Sequence, residues 1–411
     1  MQPSNLIGLS SGAQVGNLRY FQGSIQRIIP LLALLMLTGC GSWFGFGGAA
    51  DEYAPGNADI TVEDAFASVE ALMTGEHYYV SPDGDDDNDG LSEESPFETI
   101  LQAIITVRAG DTIHLGPGEY FETMMTVRDG TPEAPITIIG PPEAIIRGEA
   151  LDNVLMRINH DYYTLYGFSF DGLYGDPDKM RGYKDKLLYA QKHEVRSGIK
   201  GLRVLNITFQ NAGAECVRLR YFLTESEVAF SRFHNCGIWD FVFDEGGKVG
   251  EAIYMGTSSK QWDDGKNRTS DPDETMHNWI HHNFMDTQGN ECAEVKEGGT
   301  ANIIEYNECT GQKDPESAGI VARGSGNIIR YNTIYGNVGA GVRVGGHTVD
   351  GIQYGQENEV YGNELYNNTA GGVKIMVPSQ AKVCDNNVYD NEGGPVVGEY
   401  AADYNPTVSC P

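Results

Sequence analysis

Positive charge is scarce in this 411-residue chain: 28 Lys and Arg stand against 58 Asp and Glu, a formal net charge of −30. That balance argues against nucleic acid as a partner and leaves a polyanion only a local basic stripe or a bound cation to recognise. No C-x-x-C is present, which argues against a zinc site. No G-x-S-x-G, H-E-x-x-H or P-loop pattern occurs either, so the common hydrolase, metalloprotease and nucleotide signatures are missing. The apolar run from Ile28 to Leu37 is too short to span a bilayer as a mature helix. Glycine, by contrast, is abundant at 52 residues, Asn recurs, and Pro is ordinary at 17, which suits a turn-dense β protein.

Residues 1–40 read as a lipoprotein-type signal peptide. Arg19 and Arg27 precede the apolar run, which ends Leu37-Thr38-Gly39-Cys40, resembling a bacterial lipobox with Cys40 as the lipidated first mature residue. A Gly-rich tether follows over 41–60, then a domain over 61–411. The expected location is the bacterial cell envelope, with a lipid at Cys40 as the membrane contact and a monomeric protein. Cys216, Cys236, Cys292, Cys309, Cys384 and Cys410 are an even set in an exported chain, so disulfides are expected. Nearest neighbours are the favoured pairs, because Cys292 and Cys309, like Cys216 and Cys236, fall on one coil of the repeat described next, and Cys384–Cys410 would tie down the C-terminus.

Thr61–Met73 has helical spacing, with Thr61 as N-cap and Glu63 and Asp64 in the first turn, and is expected to cap an open end of the domain. Residues 77–150 carry a strand, an acidic turn, a short helix at Thr99–Val107 and a further strand. Asp85-x-Asp87-x-Asp89-Gly90 partly matches a calcium loop, but Pro96 stands where the twelfth-position Glu is needed, and a solvated acidic turn is the expectation. Beyond 151, strand endings place Asn206, Ser231, Asn283, Asn307, Asn332, Asn363 and Asn386 at comparable positions, several of them roughly 24 residues apart, the signature of a solenoid. Asn at a repeated turn tolerates the left-handed conformation and can stack its amides along the axis. Insertions are expected at 258–274 and 346–356. The fold expected is all-β, a right-handed parallel β-helix with an N-terminal capping helix.

Aligning the strand before each Asn turn gives rows beginning at Glu215, Glu251, Glu291, Ala318, Ala340 and Gly371. The fourth position holds Arg218, Tyr254, Glu294, Val321, Arg343 and Lys374; the sixth holds Arg220, Gly256, Lys296, Arg323, Gly345 and Met376. Strand side chains alternate, so both columns face outward and form a basic stripe on an acidic protein, suited to a linear polyanion. Lys296 and Arg323 are roughly 27 residues apart, about one coil, and would lie side by side. Stacked glutamates repel unless a cation sits among them, so Glu251, Glu291 and Glu294 suggest a Ca²⁺ site.

The stretch ECAEVKEGGTANIIEYN, followed by GIVARGSGNIIRYNTIYGN, resembles the active-site coils of family-six polysaccharide lyases, the chondroitinase B and alginate lyase group. The resemblance implies Lys296 as the base, Arg323 as the catalytic Arg and Glu291 as a calcium ligand, over roughly residues 240–340. It departs at Gly289, where the family has a second acidic ligand, and in lacking the Asn ligand expected near Glu251. The chemistry suits these residue types: β-elimination from a 4-linked uronate needs a base for the proton α to the carboxylate, and a cation for the dianion that develops. Arg323 beside Lys296 would lower the lysine pKa. Arg218, Arg220, Tyr254, Arg343 and His347 are the expected substrate-binding residues, with Tyr254 and Tyr354 as sugar platforms or proton donors and His281 and His282 as structural groups. A uronate C5-epimerase, a glycoside hydrolase using Asp240, Asp244 or Glu245, and a non-catalytic adhesion module are the alternatives.

Overall fold

The computed structural model describes residues 59–149 and 152–410. The signal peptide with Cys40, and nearly all of the expected tether, lie outside the described residues. Among the described residues no helix is long and apolar enough to cross a membrane.

Each coil contributes one strand to each of three parallel sheets of 11, 10 and 10 strands. Each strand pairs with its equivalents one coil before and one coil after, as Ile303–Glu305 does with Trp279–His281 and Ile328–Arg330. The architecture is a parallel β-helix. Its interior is filled by one apolar side chain stacked on the next, including Phe170 on Phe209 and Phe209 on Phe233 at 5.2 and 5.0 Å between ring centroids. Cys216–Cys236, Cys292–Cys309 and Cys384–Cys410 form the three disulfides, the pairs expected from the repeat.

The Asn ladder is present from Asn283 onward. Each amide nitrogen donates to the next Asn carbonyl oxygen, Asn283 to Asn307 at 2.9 Å, Asn307 to Asn332 and Asn332 to Asn363 at 3.0 Å, and Asn363 to Asn386 at 2.9 Å. Two details differ from expectation. These Asn are not left-handed; that conformation belongs to the preceding residue, Phe230, His282, Tyr306 and Tyr331, with φ between 53° and 55°. Asn206 falls in that preceding column (φ 54°), so Ile207 takes the ladder position, one residue beyond the Asn that the sequence pattern picks out. Rings at these strained positions stack, His282 on Tyr306 at 5.1 Å and Tyr306 on Tyr331 at 5.2 Å, and the amide ladder beside them holds the turn. His281 is wholly buried, its Nε2 3.1 Å from Glu227 Oε1, and so serves the scaffold.

Helix α1 (Val62–Glu70) is capped by Thr61, with Asp64 completing the capping box. It does not sit over the open end: Ala65 and Val69 pack on Leu205 and Ala229, with Tyr166 and Phe230 alongside, on the outer side of the first sheet. The helix at the N-terminal end is α2 (Ile100–Thr106), whose Ile100, Ala103 and Ile104 join the core of the first coils. The α1 pattern specified an amphipathic helix but not which apolar surface would receive it. In the acidic turn, Asp85 and Asp89 accept bonds from the backbone of Asp87 and Leu91, each two residues on, as a self-bonded turn does.

Candidate active site

The site lies on one of the 10-stranded sheets. Its strands Val217–Leu219, Ile253–Met255, Ala293–Val295, Ala318–Ala322, Ala340–Val344 and Gly371–Ile375 stack in the register expected, so that Arg218, Tyr254, Glu294, Val321, Arg343 and Lys374 form one column. The ladder continues past the strands, with the Lys296 amide donating to the Met255 carbonyl and the Arg323 amide to the Val295 carbonyl, which aligns the second column.

Lys296 and Arg323 converge on one carboxylate. The Lys296 ammonium donates to Glu294 Oε2, and Arg323 Nε donates to Glu294 Oε1 at 2.5 Å. The ammonium also lies 4.3 Å from the centre of the Tyr254 ring and 3.9 Å from Glu251 Oε1. Burial alone would lift the Glu294 pKa, but Arg323 and Lys296 outweigh it and hold it near 2. Burial pulls Lys296 down, and Arg323 adds to that pull as expected. Glu294, Tyr254 and Glu251 outweigh both, so the net shift is upward and the lysine is protonated here. The expected lowering of the Lys296 pKa is therefore not the state of the protein by itself.

Oxygens of Glu251, Glu291 and Glu294 lie within 4.8 Å of one another, no more than about twice a Ca²⁺–oxygen distance. All three residues are buried, and burial with Glu294 beside it pushes Glu291 up to about 7. Burial likewise raises Glu251 well above the carboxylate range. Ser317 donates to Glu291 Oε1, while the buried Oε2 has no hydrogen-bond partner. An oxygen-only donor set with an orphaned carboxylate oxygen fits a hard divalent cation. Glu215 stands apart, engaged by Lys186 at 2.8 Å and Arg218 at 2.5 Å.

The basic stripe is not open along its length. Loop 258–274 folds back over the sheet, and Arg220 is 2% exposed beneath it, donating to Asn267 Oδ1 at 2.8 Å. Arg218 is 6% exposed, 3.9 Å from the Tyr254 ring centre, and Tyr254 is buried between Arg218 and Lys296. These three residues, expected to grip substrate, instead hold the site's floor and the loop. Strand alternation puts a side chain outward but says nothing of what then covers it. Arg323, Arg343 and His347 face the less covered side. The Arg343 side chain makes no hydrogen bond or ion pair among the described residues, and burial, then Arg323, lowers its pKa. His347, half-exposed, has Nε2 3.8 Å from Glu297 Oε1.

Glu297 lies one residue beyond the aligned rows. Its side chain is wholly buried, accepts from the Ser259 backbone at 2.9 Å and faces His347, so it touches both insertions, which also meet in a Trp262–Tyr354 edge contact at 5.7 Å. The strict recurrence of the rows could have been carried one position further to find it. Asp240, a candidate for hydrolysis, accepts the backbone N–H groups of Gly247 and Val249 at 2.8 and 2.7 Å and so fixes that loop.

A family model described as right handed beta helix region matches residues 202–409, and one described as protein of unknown function (DUF1565) matches 82–153. The uncharacterized protein YwoF of Bacillus subtilis (strain 168) is 35% identical over 99 residues, 22% of this chain. The match spans only 21% of that relative's length. Among solved structures, alginate lyase from Paenibacillus sp. str. FPU-7 aligns with a TM-score of 0.59 at 19% identity, over 73% of this chain and 94% of that one. Pectate lyase Pel9A aligns with a TM-score of 0.50 at 16% identity, over 79% and 72%. At these identities the likeness is one of fold.

Proposed function

This chain belongs to the right-handed β-helix region family, and on that premise we propose that it is a polysaccharide lyase cleaving an acidic, uronate-containing glycan such as alginate by β-elimination. The observation that carries the proposal is the convergence of Lys296 and Arg323, from consecutive coils, on Glu294 at the edge of a buried carboxylate cluster. The solved lyases with the same fold are consistent with it.

In this reading Arg323 and the unpartnered Arg343 receive the substrate carboxylate. Glu251, Glu291 and Glu294 would hold a Ca²⁺, which supplies charge to neutralise the dianion that develops at the uronate. With those carboxylates engaged, burial and Arg323 favour the neutral Lys296 amine against Tyr254 alone. Lys296 Nζ takes the proton at C5, the electron pair forms the C4–C5 double bond, and the C4–O4 bond breaks. The ammonium so formed returns that proton to the departing O4. His347 at the rim orients the neighbouring sugar. The three disulfides support export to an oxidising compartment, and the lipid anchor at Cys40 is proposed from the sequence.

The test is a panel of uronic-acid polymers followed by the ultraviolet absorbance of unsaturated uronate. Product that vanishes in Lys296→Ala, with circular dichroism unchanged, supports the lyase. Exchange of the C5 proton without chain cleavage would make it an epimerase, and binding without either reaction would make it an adhesion module.

A further inference from the structure

The column that holds Glu294 does not begin at Arg218. The strands Val154–Ile158 and Lys186–Ala190 extend it by two rungs, with Arg157 opposite Tyr189 and Tyr189 opposite Arg218. Here the outward face opens again, on the far side of loop 258–274 from the catalytic pair. A cleft of about 590 Å³ is lined by Arg157, Tyr189, His193, Lys266 and Arg268, with Gln191 at its base.

Three features mark this cleft as built for an anion. None of its lining residues is acidic, in a chain whose acidic residues outnumber Lys and Arg 58 to 28. Arg268 and His193 are exposed and have no ion-pair partner among the described residues. Two carboxylate contacts remain: Arg157 donates to Asp152 through Nε and Nη2 at 3.4 and 3.1 Å, both side chains about a third or more exposed and so screened by solvent, and Lys266 lies 4.0 Å from Asp264. The walls are also fixed. Tyr189 donates its hydroxyl to Gln191 Oε1, and Gln191 Nε2 donates to the Lys266 carbonyl at 3.0 Å, which ties the sheet to the loop. Arg157 lies over the Tyr189 ring at 5.6 Å. A half-buried aromatic ring among guanidinium and ammonium groups suits a sugar that presents an apolar face and a carboxylate.

We propose that this cleft is a second, non-catalytic binding site for the same acidic glycan, taking one or two uronate residues. The site rests on the proposed function for its ligand class. Stacked rungs are about 4.8 Å apart, so Tyr189 lies roughly 14 Å and Arg157 roughly 19 Å along the sheet from Glu294. Loop 258–274 occupies the stretch between, covering Arg218 and Arg220, so a polymer must cross the loop to reach both places. The cleft would hold a long substrate beside the active groove and would be indifferent to a short one.

The experiment uses the full chain carrying Lys296→Ala, which prevents turnover, titrated calorimetrically with a hexameric oligouronate. Two sites per protein are expected, falling to one when Arg268→Ala is added, and likewise with Arg157→Gln. In the active protein Arg268→Ala should raise KM for polymer about 5-fold, leaving kcat and trimer turnover unchanged. One site in both backgrounds, or an unchanged polymer KM, overturns the proposal while leaving the lyase reading intact. A second site without unsaturated product in the unmodified protein keeps the cleft and sinks the lyase. Displacement of the hexamer by equimolar inorganic phosphate would make the cleft a general anion site and overturn the glycan assignment.

Discussion

Lys296 and Arg323, far apart in sequence and one coil apart in space, close on opposite oxygens of the same carboxylate, Glu294, with Arg323 at 2.5 Å. The arrangement sets a base candidate that is protonated at rest beside a cation that is not fully engaged with substrate until one arrives. Its consequences can be measured.

Lys296→Ala should lower uronate cleavage about a thousandfold, the range of a lost general base, with the β-helix intact by circular dichroism. Removing the ammonium from a buried pair also leaves Glu294 under-compensated, so a loss of about 3 kcal/mol is expected in urea unfolding. A protein equally active without this lysine would refute its role as base.

Arg343 has no partner of its own among the described residues, and its natural partner is a substrate carboxylate. Arg343→Ala should raise KM about 10-fold on uronate polymers with a smaller change in kcat, and without loss of thermal stability. A large fall in stability would show that the guanidinium serves the fold instead.

A divalent cation at Glu251, Glu291 and Glu294 would bind the folded chain only and stabilise it, by about 2.7 kcal/mol at a hundredfold excess over Kd. Ca²⁺ should therefore raise Tm, and a chelator should abolish cleavage without unfolding the protein. Glu291→Gln should remove the Tm response. A Tm indifferent to Ca²⁺ in the parent protein would remove the metal from the proposal.

Glu227 offers a pH test away from the site. Burial would lift its pKa, but Arg203 and His281 outweigh that and depress it to about 2 from an ordinary value of 4.5. A depressed carboxylate stabilises the fold above its unfolded pKa, and that stability is lost as the pH falls from about 4.5 towards 2. Up to about 3 kcal/mol should disappear over this window, and Glu227→Gln should flatten that limb of the stability profile.

The Asn ladder predicts a cost for each amide. Asn332 donates to Asn363 and to the Ile304 and Arg330 carbonyls, while its own oxygen accepts from Asn307. Asn332→Ala should cost about 3 kcal/mol by stranding several buried backbone groups. A near-neutral result would mean that water replaces the amide.

By itself the sequence determined the solenoid, its coil length, the register that brings Lys296, Arg323 and Glu294 together, the disulfide pairs and the Asn ladder from Asn283 onward. Those features are local patterns repeated on each coil, and a parallel stack turns equal spacing in sequence into neighbours in space. The tertiary structure alone decided which outward cations stay open. Arg218 and Arg220 lie buried because a loop inserted on another coil returns over them. It also decided that α1 packs on a sheet's side, that the left-handed position belongs to the residue before each ladder Asn, and that Lys296 rests protonated. Each of these depends on what packs or charges a position from far along the chain, and no repeat in the sequence encodes that.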